Sequence, residues 1–198
     1  MNLLTQLLEQ GGDLPVRVRQ AYRSAECLVD AGAISRQLDQ LAVTLTLLLQ
    51  DTNPVIITLL PGAGVLSGQL AGRMVFPAES IFLQGESAAG KVLDSSRTDN
   101  LKFDGRVVLL LNDYAEGRDM EAAMDWAVRH GAGEIRCAGV VGFASRDSST
   151  DAGAYPSHAA VRLREEPRPL MGTGLSFCGY GQNLPGLYAI NDIGEEKT

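Results

Sequence analysis

The side chains best suited to covalent or metal chemistry are scarce in this 198-residue chain, which holds three cysteines and two histidines. Cys27, Cys137 and Cys178 lie far apart and form no C-x-x-C pair. That pattern predicts neither a disulfide framework nor a structural zinc site, and it fits a reducing compartment. His130 and His158 are too few for a histidine-rich metal centre. Asp94, Asp99 and Asp104 invite a metal reading, but a polar loop setting predicts solvated carboxylates, and no metal site is expected. Ser67 has no G-x-S-x-G elbow around it and is not a nucleophile candidate. Cys137, inside an apolar run, is predicted to be buried and inert, and no cation neighbours Cys178 in SFCGYG to activate its thiol. Two turns remain, each following an apolar run. Pro61-Gly62-Ala63 follows VIITLL, and Asn112-Asp113-Tyr114-Ala115-Glu116-Gly117-Arg118-Asp119 follows RVVLLL.

The elements around these turns are legible from periodicity. Leu3, Leu4, Leu7 and Leu8 recur at helical spacing until Gly11-Gly12. A longer helix is predicted over 32–50, with Ile34, Leu38, Leu41, Leu45 and Leu48 on one stripe. Residues 55–60 are apolar on both faces, as a buried parallel strand is, and VLSGQLAGRM after the first turn predicts a helix. Ser80 to Leu83 predicts a strand, and 84–103 a loop or irregular hairpin. Residues 106–111, the helix MEAAMDWAVRHGA and the strand IRCAGVVGF have the length of a βαβ unit. A polar loop over 145–158, a short strand AAVRL and a last strand LYAIN complete the reading. The expected organisation is a single domain over 1–198, with a helical appendage at 1–19 and a solvated tail at 191–198.

Apolar residues make up 45% of the chain and the formal net charge is −7. Such acidity disfavours nucleic acid and anionic membrane as partners while leaving room for a small phosphorylated ligand. The start carries no secretory pattern and no apolar run is long enough to span a bilayer. A cytoplasmic location is therefore expected.

Three ordered segments carry a family resemblance. VVLLLNDYAEGRDMEAAMDWAVRHGA resembles the strand, acidic pair, phosphate loop and helix of type I phosphoribosyltransferases. NPVIITLLPGAGVLSGQLAGRMVFP resembles the pyrophosphate loop region of their bacterial hypoxanthine–guanine branch, and RPLMGTGLSFCGYGQNLPGLYAI resembles its C-terminal segment. The resemblance covers roughly residues 20–190. It implies an α/β fold of the phosphoribosyltransferase (Rossmann-like) kind, a parallel sheet of four or five strands with a small hood built from the terminal segments. By the same resemblance, Asn112, Asp113, Glu116, Gly117, Arg118 and Asp119 fall at the ribose and phosphate site. Pro61, Gly62 and Ala63 fall at the pyrophosphate loop. Loop N–H groups and a helix N-terminus would hold the phosphate there.

The chain departs from the family pattern in one direction. Asn112 stands for one of two carboxylates, and Ala115 falls where the family places a general base. Tyr114 and Glu116 are the only nearby substitutes. Asp119 stands where a hydroxyl meets the phosphate; its alternative role is a helix N-cap worth about 1 kcal/mol. Arg118 could offset Asp119 or simply be solvated. Gly142-Phe143-Ala144-Ser145 lacks the lysine of the base pocket, leaving Arg146 as the nearest cation, while Pro169, Ser176 and Gln182 replace a stacking aromatic, a magnesium-linked aspartate and an arginine. Fold-building glycines such as Gly62, Gly117, Gly131, Gly172 and Gly174 remain. The expectation is a hypoxanthine–guanine-type phosphoribosyltransferase-like protein with impaired catalysis, no assigned catalytic residue and a nucleotide-binding or regulatory role. The alternative is an active purine enzyme, transferring 5-phosphoribosyl from phosphoribosyl pyrophosphate to hypoxanthine or guanine with Mg2+. A third reading is another substrate on the same fold. Partners are then a nucleotide or small phosphorylated ligand and a protein, including a second copy. A homodimer is expected, with Leu66, Leu70 and Met74 as its contact.

Overall fold

The computed structural model describes residues 3–86, 91–93, 101–143, 157–164, 166 and 168–193. Asp94, Asp99, Ala144, Ser145, Arg146 and most of the loops expected over 84–103 and 145–158 lie outside them. The chain divides into two compact units, residues 35–165 and residues 1–34 with 166–198.

The larger unit is built on a six-stranded sheet. Its strands are β2 (Val55–Leu60), β3 (Glu79–Glu86), β4 (Lys91–Leu93), β5 (Val107–Tyr114), β6 (Glu134–Phe143) and β7 (Ser157–Leu163), in the order β4-β3-β2-β5-β6-β7. Five are parallel, and the short β4 runs antiparallel to β3 along one edge. β2 and β5 are buried along nearly their whole length, which is why their sequences read as unbroken apolar runs. Val55, Ile57, Leu59, Val108, Leu110, Ile135 and Cys137 share one core with Met120, Ala123, Trp126 and Ala127 of helix α5 (Arg118–Arg129). Phe103 completes it, edge-on to Trp126 at 5.7 Å, and Trp126 stacks on His130 at 4.0 Å. Leu109 and Leu111, alternating to the other side of β5, are equally buried.

Helix α3 (Ala31–Leu49) buries Ile34, Leu38, Leu41 and Leu45 as its periodicity predicts, but the stripe ends on Leu49 rather than Leu48. Helix α4 (Gly64–Ala71) corrects two of the three residues expected at a dimer contact; the third, Met74, lies past its end and is half-buried. Leu66 and Leu70 are both 0% exposed within the chain itself, so neither is available to a second copy. Their apolar character serves the packing of α4 in its own unit.

The smaller unit holds α1 (Leu3–Gln10), α2 (Val16–Ser24) and an antiparallel sheet of β1 (Ala25–Val29), β9 (Leu187–Ile190) and β8 (Leu170–Met171). Its core joins Leu4, Val18, Ala21 and Tyr22 to Met171, Leu184, Tyr188 and Ile190. Neither α2 nor β1 was expected from periodicity. Among the described residues no helix is long and apolar enough to cross a membrane.

β5 outlasts its apolar run because Asn112 pairs with Gly139 and Tyr114 with Val141 of β6, after which the Ala115 N–H donates to the Val141 carbonyl at 2.8 Å. A Cβ at Gly139 would run into the backbone of Ala115 and Tyr114. Overpacking of this kind costs about 1–3 kcal/mol. Gly139→Ala should therefore lower the unfolding free energy by about that amount, read from the urea midpoint at unchanged m.

Candidate functional site

The two turns singled out by sequence meet at the carboxyl end of the parallel strands, where ligands of open α/β sheets bind. β2 ends at a cis Leu60–Pro61 peptide, followed by Gly62 and the buried Ala63. Gly62 lies against β5: a Cβ there would come 2.7 Å from Asp113 Oδ2. The loop 61–63 and Asp113 are thus neighbours.

Asn112 and Asp113 are strand residues rather than turn residues, because pairing with β6 carries β5 past them. Asn112 is 8% exposed. Asp113 Oδ1 accepts the Tyr114 N–H at 2.9 Å. Burial pushes the Asp113 carboxyl above its ordinary pKa; backbone N–H groups oppose that rise and the carboxylate of Asp119 adds to it. The Tyr114 hydroxyl is pushed up to about 12, by burial first and by Asp113 second, and its ring stacks with Phe143 at 6.1 Å. Ala115 is buried and presents only a methyl group.

Helix α5 begins at Gly117, whose φ of 117° favours glycine and which caps the helix without a side-chain bond. Asp119 is therefore not the N-cap. It sits in the first turn, where the helix dipole favours a carboxylate by about 0.3–1 kcal/mol. Arg118 is exposed, as its solvated reading predicts. The first N–H groups of an α-helix have no intrahelical acceptor, and those of α5 follow directly on the turn after β5.

Glu116 has partners that sequence did not reveal. Its carboxylate accepts the Phe143 N–H at 3.2 Å, the Ser157 hydroxyl at 3.1 Å and Arg162 Nη1 at 3.2 Å. The nearest local signal was the absence of a lysine from Gly142-Phe143-Ala144-Ser145; Arg162 of β7 pairs in register with Gly142. Cys137 is buried, and its thiol is pushed up to about 12 by burial, with Glu116 adding to the rise. Among the described residues no group of carboxylates, thiols and imidazoles could hold a metal ion. Pro169, Ser176 and Gln182 belong to the smaller unit, and all three lie outside its buried core.

Comparison with known proteins places this geometry in context. No protein-family profile and no curated protein matches the sequence. Solved structures do match. A hypoxanthine-guanine phosphoribosyltransferase from Bacillus anthracis, with a HEPES molecule in its active site, aligns with a TM-score of 0.69 at 18% identity, over 84% of this chain and 97% of that one. Hypoxanthine phosphoribosyltransferase from Trypanosoma cruzi, in complex with its product IMP, aligns with a TM-score of 0.68 at 15% identity, over 86% and 96%. A hypoxanthine-guanine-xanthine phosphoribosyltransferase aligns with a TM-score of 0.67 at 21% identity, over 84% and 97%. The chain has the phosphoribosyltransferase fold. That fold accounts for the parallel sheet, the loop after β2 and the strand–turn–helix after β5 as one arrangement.

The raised Asp113 pKa sets a sign for stability. The folded state holds the Asp113 proton more tightly than the unfolded chain does. The contribution is full below the ordinary value of 3.8 and is lost as pH rises through the folded value. Asp113→Asn, which keeps an acceptor for the Tyr114 N–H, should gain stability over wild type between pH 4 and pH 7. Paired denaturant titrations at the two pH values check this, and an unchanged difference between the proteins would count against a buried, proton-favouring Asp113.

Proposed function

We propose that this chain acts by binding a nucleotide or a related small phosphorylated ligand on a phosphoribosyltransferase fold of the hypoxanthine–guanine type, with transfer impaired and a regulatory role in place of turnover. The reading is carried by the polar content of the β5 end. Residues 112–115 supply an amide, one half-buried carboxyl drawn toward its neutral form, a high-pKa phenol and a methyl group. A general base needs a proton affinity near the working pH and reach to the reacting group. Tyr114 is pushed far above it, Ala115 has no basic atom, and Glu116 is engaged by three donors.

Binding survives this loss more readily than catalysis. Backbone N–H groups at the start of a 12-residue helix attract a phosphate whatever the side chains. Asp119 opposes that attraction. An amide beside a single half-buried carboxyl drawn toward its neutral form also fits magnesium poorly, since that ion prefers ionised oxygen ligands. No step is assigned to it.

Purified protein with phosphoribosyl pyrophosphate, magnesium and hypoxanthine or guanine is expected to turn over about 10²–10⁴ times more slowly than working enzymes at ~1–10³ s⁻¹. Isotherms with inosine or guanosine monophosphate should show binding, and Asp119→Thr should tighten it without restoring turnover. Turnover near 1 s⁻¹ or faster (about the ordinary enzyme range) would replace this reading with an active purine phosphoribosyltransferase.

A further inference from the structure

Three donors from β6 and β7 converge on one carboxylate. The Phe143 N–H meets Glu116 Oε2, while the Ser157 hydroxyl and Arg162 Nη1 both meet Oε1. None of these donors comes from the helix start of α5. Arg162 is further fixed by a bond from Nη2 to the Ser157 carbonyl at 2.8 Å. Gly142, opposite Arg162 in register, leaves the room: a Cβ there would come 3.3 Å from Nη1 and 2.9 Å from the Ala159 Cβ. Glu116 is 15% exposed on its side chain and Arg162 36%, so the group is open to solvent on one side.

Two arginines, Arg136 and Arg162, act on this region. Burial first, then Arg136 and Arg162, hold the nearby His158 toward its neutral form. Arg136 is itself paired with Glu134, and among the described residues Arg162 is the cation paired with the Glu116 carboxylate. A backbone N–H, a hydroxyl and a guanidinium form a donor set for any oxyanion, because such donors bond carboxylate and phosphate oxygens alike. The only occupant among the described residues is a side chain on a turn, at the head of helix α5.

We propose that Phe143 N–H, Ser157 and Arg162 form an oxyanion-binding cradle whose resident ligand is the Glu116 carboxylate and whose external ligand is a phosphate group, free or esterified. An incoming phosphate displaces Glu116, and with it the hold on the turn that leads into α5. This cradle is separate from the helix-start site and does not rest on the nucleotide-binding reading. A dianionic phosphate gains more from Arg162 than a monoanionic carboxylate does, so acetate is the weaker ligand. The tethered carboxylate competes at a high effective concentration, so wild type binds weakly.

The test is a titration of the full chain with inorganic phosphate, glycerol phosphate and acetate, followed at the Phe143 and Gly117 amides by NMR. Glu116→Ala should bring the Phe143 response to a phosphate concentration about tenfold or more below that of wild type. Adding Arg162→Met should abolish it. Glu116→Gln keeps the shape of the side chain and removes its charge, so it should fall between the two even if the alanine variant folds poorly. Equal Phe143 titrations in wild type and Glu116→Gln, or binding that persists without Arg162, would overturn the cradle. A response at Gly117 alone reports the helix-start site and would likewise count against it.

Discussion

The carboxyl end of the larger sheet depends on how closely β5 and the turn after it can approach β6. Gly139 permits that approach. With no side chain there, the backbone of Tyr114 and Ala115 settles against β6 and the Ala115 N–H reaches the Val141 carbonyl. Asn112 consequently ends up as a paired strand residue, and Asp113 beside it is partly buried, which raises its pKa. The turn is then short, and only Gly117, at a φ of 117°, lets α5 start so soon after the strand. Glu116, between these two constrained points, is carried across to β6 and β7. Each feature of the site follows from a backbone that could approach closely at one residue and reverse sharply at another.

Much of this was legible in sequence. β2, β5 and β6 announce themselves as short, apolar, β-branched runs, because strands covered on both faces must be apolar on both. The α3 stripe is legible for the same reason as far as Leu45; Leu48 and Leu49 flank its centre about equally at 3.6 residues per turn, and packing buries Leu49. The family resemblance located the two turns, and they are indeed neighbours through Gly62 and Asp113.

What sequence withheld is non-local or conformational. In α2, Val18, Ala21 and Tyr22 have helical spacing, but three arginines mask it in a nine-residue segment. β1 exists by pairing with β9, about 160 residues away, and its own five residues carry no strong signal. The preference of aspartate for N-caps pointed to Asp119, whereas the required positive φ gave the position to Gly117. Leu66 and Leu70 pointed to an interface and are core, since an apolar side chain does not say what covers it. The partners of Glu116 lie at 143, 157 and 162, beyond the reach of any local pattern.

Three carboxylates fall within residues 113–119, and a phosphate brought to this end of the sheet would add still more negative charge. The protein accommodates each by a different route. Burial moves Asp113 toward its neutral form, Arg162 and two further donors hold Glu116, and the dipole of α5 favours Asp119 in its first turn. Every one of these draws on positive potential or proton affinity that a phosphorylated ligand would otherwise use. Asp119 would compete with such a ligand for the helix start and Glu116 for Arg162. The same fold with hydroxyls at these positions would leave its donors free. This chain fills the donors at Glu116 internally, and a phosphate using them would have to displace that carboxylate.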